Sequence, residues 1–406
     1  MTDYLTSLPR DLYTAAEVRL LDKIAIEQFG IPGFTLMQTA ASIAFNKLME
    51  KWPQTRHVQV FAGSGNNAGD GYLLASLAKE QGLSTEVITL TDPEKLQGDA
   101  RLAAEWADKQ QVLITSFSDF DVEHEKDHAH PVVVDALLGI GLDREVTGDY
   151  AKAIEFINSA DRPVLAIDIP SGLNADTGAC LGVAVIADVT VTFIGLKQGL
   201  LTNQAGDFVG ELIYHHLDVP DQVFTSESSP KPVAQRIDIN SRRVMLAPRA
   251  IASHKGSHGH VLVIGGDSDF GGAVIMAAEA ALRSGAGLVS VITRSAHRPA
   301  LLARRPEVMV LGTEDDNTHI DDLISRATAI VIGPGLGRGS WARCLMQKAL
   351  STQISMDKPL VIDADALHLL AENREQGTAE KGTEIKRDNW ILTPHPGEAA
   401  ALLNCS

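Results

Sequence analysis

The stretch VQVFAGSGNNAGDG, Val58 to Gly71, decides the fold. Val58 to Ala62 is a short apolar run with β-branched residues, closed by glycine, and reads as a buried strand. The GSGNNAGDG segment, Gly63 to Gly71, reads as a loop feeding a helix that begins near Gly71. Such a loop turns backbone N–H groups and a helix N-terminus toward an anion, and its glycines let a ligand approach closely. The plainer alternative is a glycine-rich turn with Asp70 as the helix cap. The adjacent amides of Asn66 and Asn67 favour binding, because consecutive side-chain amides suit a hard cation or a ribose.

Outward from this stretch the strand and helix patterns alternate. Further strands are expected at Val87 to Leu90, Val132 to Val134, Val164 to Ile167 and Val189 to Phe193, with helices between most of them. Upstream, Thr14 and Glu17 have the spacing of a capping box, and a helix over about Leu36 to Met49 follows the Gly30-Ile31-Pro32-Gly33 turn. The pattern implies a doubly wound, Rossmann-like parallel sheet in three layers. From about Asp218 to Arg249 it dissolves into Pro, Ser and charged residues, as in VPDQVFTSESSPKPVAQ, which places a domain boundary near residue 230. A second α/β series follows, with strands at Val261 to Ile264, Leu288 to Ile292, Ala329 to Ile332, Leu360 to Ile362 and Trp390 to Leu392. Two α/β domains are therefore expected, residues 1–230 and 231–406. The helical stretch Ala399 to Leu403 stops at Ser406 without a closing strand, so the second domain reads as cut short.

In open α/β sheets, ligands gather beyond the carboxyl ends of the strands. Asp135 ends VVVD, Asp168 ends PVLAID with Ser171 and Gly172 in its loop, and Asn67 follows the first strand. Each acid alone would read as a cap of the following turn; three in register argue for a site. Lys197, after VTVTFIG, either joins that edge or is a solvated surface lysine. In the second domain the glycines of GGD and GPGLG, Asp363 and Asp365 of LVIDADAL, and His395 with Glu398 of ILTPHPGE all follow strands. His395 between two prolines has few packing reasons and is taken as a site residue. His124, His128 and His130 sit in a polar stretch with nothing to order them, so no zinc is assigned.

Lys plus Arg number 35 against 52 Asp plus Glu, a formal charge of −17 that disfavours nucleic-acid binding by a basic face. No stretch of about 18 uncharged apolar residues occurs, which disfavours a membrane span. Cys180, Cys344 and Cys405 are far apart and unpaired in pattern, as expected of a cytoplasmic protein. A homo-oligomer is compatible with this composition and is not specified by it.

The motifs AIEQFGIPGFTLM, GNNAGDG, VVVDALLGIGL, AIDIPSG and TFIGLKQGL closely resemble the N-terminal epimerase domain of the bifunctional NAD(P)H-hydrate repair enzymes. SHKGSHG, VIGGD, ALRSGAGL, VIGPGLG, IDADAL and TPHPGEAA resemble their C-terminal dehydratase domain, of the ribokinase-like superfamily. The resemblance spans nearly the whole chain in order. It implies potassium ligands at Asn67, Asp135 and Ser171. It also implies contacts to the hydrated nicotinamide nucleotide at Asn66, Asn67, Ala68, Gly69 and Asp70, at Gly139, Ile140, Gly141, Leu142, Asp143, Arg144 and Glu145, and at Asp168. Asp168 is the expected catalytic group and Lys197 a second candidate. In the dehydratase domain Ala273, Gly335, Gly337 and His395 match positions lining the hydrate site, and the family uses ADP or ATP there. Ala68 stands where the family usually has glycine, a change that a left-handed backbone would make costly. The family's KGA segment and GxGD motif do not occur before Ser406, so only epimerase activity is expected to remain. Rival readings are a ribokinase-like small-molecule kinase with an unrelated partner domain, and a non-catalytic scaffold on an epimerase-like domain.

Overall fold

A computed structural model describes residues 8–120, 131–237, 248–314, 319–375 and 387–405. The chain divides into two units, Met1–Ala247 and Pro248–Ser406.

In the first unit a seven-stranded sheet has the order β4-β3-β2-β5-β6-β7-β8, all neighbours parallel. These strands are β2 (His57–Ala62), β3 (Ser84–Thr89), β4 (Leu113–Ser116), β5 (Val132–Ala136), β6 (Val164–Ile167), β7 (Val189–Phe193) and β8 (Glu211–His215). Strand order reverses between β2 and β5, which opens a crevice at their carboxyl ends. The sheet is buried on both faces, so its strands read as continuous apolar runs. Val58, Val60, Ala62 and Val134 pack with helices α1 (Ala15–Glu27), α2 (Gly33–Lys51), α3 (Asn66–Glu80) and α4 (Gly98–Lys109). On the other face Phe61 and Val133 pack against Ile154, Phe156 and Ile157 of α5 (Gly148–Ser159). The expected capping box is formed: the Thr14 side chain accepts from Glu17 N, and Glu17 Oε2 accepts from Thr14 N at 2.7 Å.

The expected boundary near residue 230 moves to Ala247. Beyond the Pro- and Ser-rich segment, β9 (Ala234–Gln235) pairs antiparallel with β1 (Asp11–Leu12), and Arg236 N donates to Arg10 O at 2.7 Å. This return to the N-terminus leaves no local signature in sequence. Edge strand β4 is half exposed and short, and β8 is likewise interrupted by polar residues; neither has the apolar run used to find its neighbours.

The second unit holds six parallel strands in the order β12-β11-β10-β13-β14-β15. They are β10 (His260–Ile264), β11 (Leu288–Thr293), β12 (Met309–Gly312), β13 (Ala329–Ile332), β14 (Leu360–Ile362) and β15 (Trp390–Leu392). Val263 and Val291 pack against Val274 and Ala278 of α6 (Gly271–Arg283) and Leu301 of α7 (Arg298–Arg304). On the opposite face Ile330, Ile332 and Ile362 pack with α8 (Ile320–Arg326), α9 (Ser340–Met356) and α10 (Asp365–Glu375). Both units are thus three-layer α/β sandwiches, as the alternating pattern requires.

Candidate active site

The carboxyl edge of the first sheet lies under a cavity of about 810 Å³, a volume in the range of small-molecule sites. Asn66, Asn67 and Asp70 line it from α3, Asp168 from the end of β6, and Lys197 from the segment after β7. The whole run Gly139 to Glu145 lines it too, held to α1 by a hydrogen bond from Arg19 Nη2 to Ile140 O at 3.2 Å.

The loop quoted at the outset is shorter than its glycines suggest. Helix α3 begins at Asn66 with Gly65 as N-cap, not near Gly71, so Asn66 to Asp70 form its first turns and Asp70 is not its cap. Ala68 is therefore right-handed helical and fully buried, and the expected penalty for replacing glycine there does not arise. Gly69 is tightly enclosed, since a Cβ there would lie 2.6 Å from Met37 Sδ and 3.0 Å from Ala100 Cα, and a Cβ at Gly63 would lie 1.9 Å from Leu137 O. Ala68 and Gly69 thus pack behind the cavity wall rather than on it.

Asp168 adopts a left-handed conformation, φ 67°, which a non-glycine residue holds only when its surroundings impose it. Its N–H donates to Val191 O at 2.7 Å. Its Oδ1 accepts from Thr192 Oγ1 and Phe193 N, both at 3.3 Å, and from Lys197 Nζ. Lys197 is 1% exposed, and its ammonium also donates to Thr192 Oγ1 at 3.0 Å and Phe193 O at 3.1 Å. The solvated-surface reading of this lysine is excluded: it forms a buried ion pair with Asp168.

Asp135 and Ser171 sit beneath the cavity, both buried. Asp135 Oδ2 accepts from Ser171 N at 2.7 Å and Oδ1 from Ser171 Oγ at 2.6 Å. Burial pushes the Asp135 carboxyl up to about 6, against the lowering effect of these bonds. Ser171 Oγ also meets Leu138 N at 2.8 Å and Leu138 O at 3.2 Å, and Asn67 Nδ2 donates to that same carbonyl at 3.1 Å. The three residues are thereby linked. Asn67 Oδ1 is buried with no hydrogen-bond partner, an orphaned acceptor of the kind a hard cation satisfies. Among the described residues no cluster of three His, Cys, Asp or Glu side chains is placed for a metal, so the donor set here is amide, hydroxyl, carbonyl and one carboxylate.

One acid, Asp22, was missed as a partner of this site. Asp22 lies on α1 within the inward stripe of Val18, Leu21 and Ala25, and faces the cavity. Burial pushes its carboxyl up to about 6, with Lys197 lowering and Asp168 raising it. Asp70 is held well above the usual carboxylate range by burial, then by the charges of Asp168 and Asp22. The signal available in sequence was an acid three and four residues from apolar positions of an amphipathic helix.

In the second unit, Gly335 (φ 60°) packs on Phe270 and Ala273; a Cβ there would lie 2.6 Å from Phe270 O and 3.2 Å from Ala273 Cβ. A Cβ at Gly337 would lie 2.7 Å from Asp267 Oδ2, and the Gly337 N–H donates to Asp365 Oδ2 at 2.9 Å. Ala273, Gly335 and Gly337 are therefore brought together. His395 is not seen joining them: it is 65% exposed and caps helix α11 (Pro396–Leu403), its Nδ1 accepting from Gly397 N at 3.1 Å. That cap is the local role the flanking prolines concealed. His124, His128 and His130 lie outside the described residues.

No helix among the described residues is long and apolar enough to cross a membrane. Residues 33–199 match the family model described as YjeF-related protein N-terminus, and residues 261–406 match NAD(P)H-hydrate dehydratase. The bifunctional NAD(P)H-hydrate repair enzyme of Coxiella burnetii is 43% identical over 97% of this chain and 76% of its own length. Its counterpart in Escherichia coli is 38% identical over 100% of this chain and 75% of its own length. A solved ADP/ATP-dependent NAD(P)H-hydrate dehydratase from Bacillus subtilis is 28% identical, with a TM-score of 0.31, over 41% of this chain and 54% of that one. The chain spans about three quarters of the length of these relatives. Two family models in order and relatives of this identity along nearly the whole chain establish that it belongs to the bifunctional NAD(P)H-hydrate repair enzymes.

Proposed function

We propose that the first unit interconverts the R and S epimers of hydrated NADH or NADPH, and that the second unit dehydrates the S form at the expense of ADP or ATP. The observation that carries the first half is the Asp168–Lys197 ion pair facing the cavity at the carboxyl edge of the sheet. Epimerisation requires the hydroxyl-bearing carbon beside the ring nitrogen to lose and regain hydroxide, or the ring to open and close. The first route develops positive charge at that nitrogen. A carboxylate fixed in place by three hydrogen-bond donors stabilises such a charge more than solvent would. Lys197 acts through Asp168, since its ammonium has three protons and three acceptors already hold them.

Asn67, Ser171 and Asp135 would hold a potassium ion, which when bound supplies a fixed positive charge for a nucleotide phosphate in a chain of net charge −17. The Asn66 and Gly139 to Glu145 segments would contact the nucleotide, and Ala273, Gly335, Gly337 and His395 the hydrate in the second unit. The three free cysteines suit a reducing cytoplasm. Nothing in the site requires a second copy of the chain.

The test is chromatographic. Pure R hydrate incubated with the protein should approach an R/S mixture, and Asp168→Asn should slow this by about 100-fold or more. Unchanged R hydrate after incubation with the unaltered protein would refute the epimerase reading and favour a scaffold. Transfer of phosphate to a vitamin or sugar alcohol without hydrate turnover would favour a kinase.

A further inference from the structure

Asp22, Asp70, Asp168 and Lys197 interact with one another where they line the cavity of the first unit, whose wall also carries Arg19, Asp99, Asp143, Arg144, Glu145 and Tyr150. Their protons are not equally available. Asp168 Oδ1 receives three donors and Lys197 Nζ spends its protons on three acceptors, so neither gives a proton to a departing hydroxyl. Arg19 stays charged and is tied to Ile140 O. By contrast, among the described residues no donor is hydrogen bonded to the carboxyl of Asp22 or of Asp70, and neither forms an ion pair. Both sit near enough to Asp168 for its charge to resist their ionisation.

We infer that Asp22 is the acid–base residue of the epimerase, an inference that rests on the epimerase reading of this cavity. Its carboxyl proton passes to the hydroxyl oxygen of the hydrated ring as the C–O bond breaks. The bonding pair leaves with oxygen as water, while the ring-nitrogen lone pair forms the C=N bond. Water then adds to the opposite face and its proton returns to the Asp22 carboxylate, so no net oxidation or reduction occurs. The division of labour follows from charge. Asp168 is ion-paired with Lys197 and stabilises the cation, whereas Asp22 has no such partner and can give and regain a proton. With its carboxyl raised to about 6, Asp22 is matched to a group that must give and regain a proton near neutrality. Burial and the charges of Asp168 and Asp22 hold the Asp70 carboxyl well above the ordinary carboxylate range, which disfavours a further negative charge beside Asp22. The groups facing Asp22 that set this balance are Lys197, Asp168 and Asp70, with Arg19 one turn away on its own helix.

The experiment compares full-length protein with Asp22→Asn and Asp22→Glu, measuring kcat and KM for R-to-S conversion between pH 5 and 9. The expected result is a fall in kcat of at least about 100-fold for Asp22→Asn with KM within threefold, partial rescue in Asp22→Glu, and loss of the pH limb near 6 in Asn only. Asp22→Asn that keeps more than a third of kcat with an unchanged pH profile overturns the inference while leaving the epimerase reading intact. An inactive unaltered protein overturns both. Should Asp22→Asn fail to fold, Asp22→Glu decides alone: a shifted but present pH limb supports the assignment, and a profile identical to that of the unaltered protein contradicts it.

Discussion

The two units carry the same architecture and treat charge at the sheet edge in opposite ways. In the second unit Asp267, Asp363 and Asp365, which follow the strands, each accept a hydrogen bond where they stand. Asp267 is paired with Arg294 at 2.7 Å, which holds its carboxyl below the ordinary value despite burial, and Arg294 lies over the Trp341 ring at 4.3 Å. Asp363 accepts from Thr393 Oγ1 at 2.7 Å, and Asp365 from Gly337 N at 2.9 Å. In the first unit, side chains from α1 and α2 wall the sheet edge, and three acids share a single lysine within the resulting cavity. Burial makes Asp22 and Asp70 resist ionisation, and proton transfer at neutral pH uses groups of that kind.

The sharpest way to break the comparison is to remove one cation from each edge. Lys197→Met leaves Asp168 without its buried partner and should cost about 3–5 kcal/mol in chemical denaturation. Arg294→Met, at a partly exposed pair, should cost about 1 kcal/mol. Equal losses would mean that enclosure does not distinguish the two edges.

Potassium sharpens it next. If Asn67 Oδ1 awaits a cation, potassium at about 100 times its dissociation constant should raise the unfolding free energy of the unaltered protein by about 2.7 kcal/mol. Asn67→Ala should abolish that gain when ionic strength is balanced with choline. A potassium response that survives the substitution would place the cation elsewhere.

The smallest effect expected is the pH dependence of stability. Folded Asp22 keeps its proton up to about pH 6, whereas the unfolded carboxyl has released it by about 4. The folded state therefore binds more protons in this window, and its contribution to stability, complete below about pH 4, is lost as pH rises through 6. Asp22→Asn should remove this dependence and leave the protein more stable at pH 8, by on the order of 1–2 kcal/mol. A substitution that destabilises at pH 8 would contradict the buried-acid account. Stability gained while turnover is lost is the signature of an acid kept for chemistry.

Much of this was legible in the sequence, for identifiable reasons. Asp135 and Asp168 could be read because each ends a strand whose apolar run is unbroken, and a parallel sheet sends all such ends to one edge. The start of α3 was misread because glycine-rich sequence looks like loop, although Gly69 is there to let the helix meet Met37 and Ala100 closely. Asp22 was passed over because a single acid on an amphipathic helix ordinarily faces water; only the packing of α1 against the sheet edge turns it inward. The cap that His395 forms on α11 was not legible because it depends on the Gly397 N–H, which sequence spacing alone does not display. The pairing of β1 with β9 joins segments more than two hundred residues apart, beyond any local pattern.

The central claim is that the cavity at the sheet edge of the first unit epimerises hydrated nicotinamide nucleotide. The most direct measurement mixes the protein with purified R hydrate of NADPH, potassium, ADP and an independent dehydratase specific for the S form, and follows the absorbance of reduced nicotinamide. The account expects NADPH to reappear faster than in a control without the protein, with the acceleration lost on Asp168→Asn. Recovery no faster than the control would contradict it.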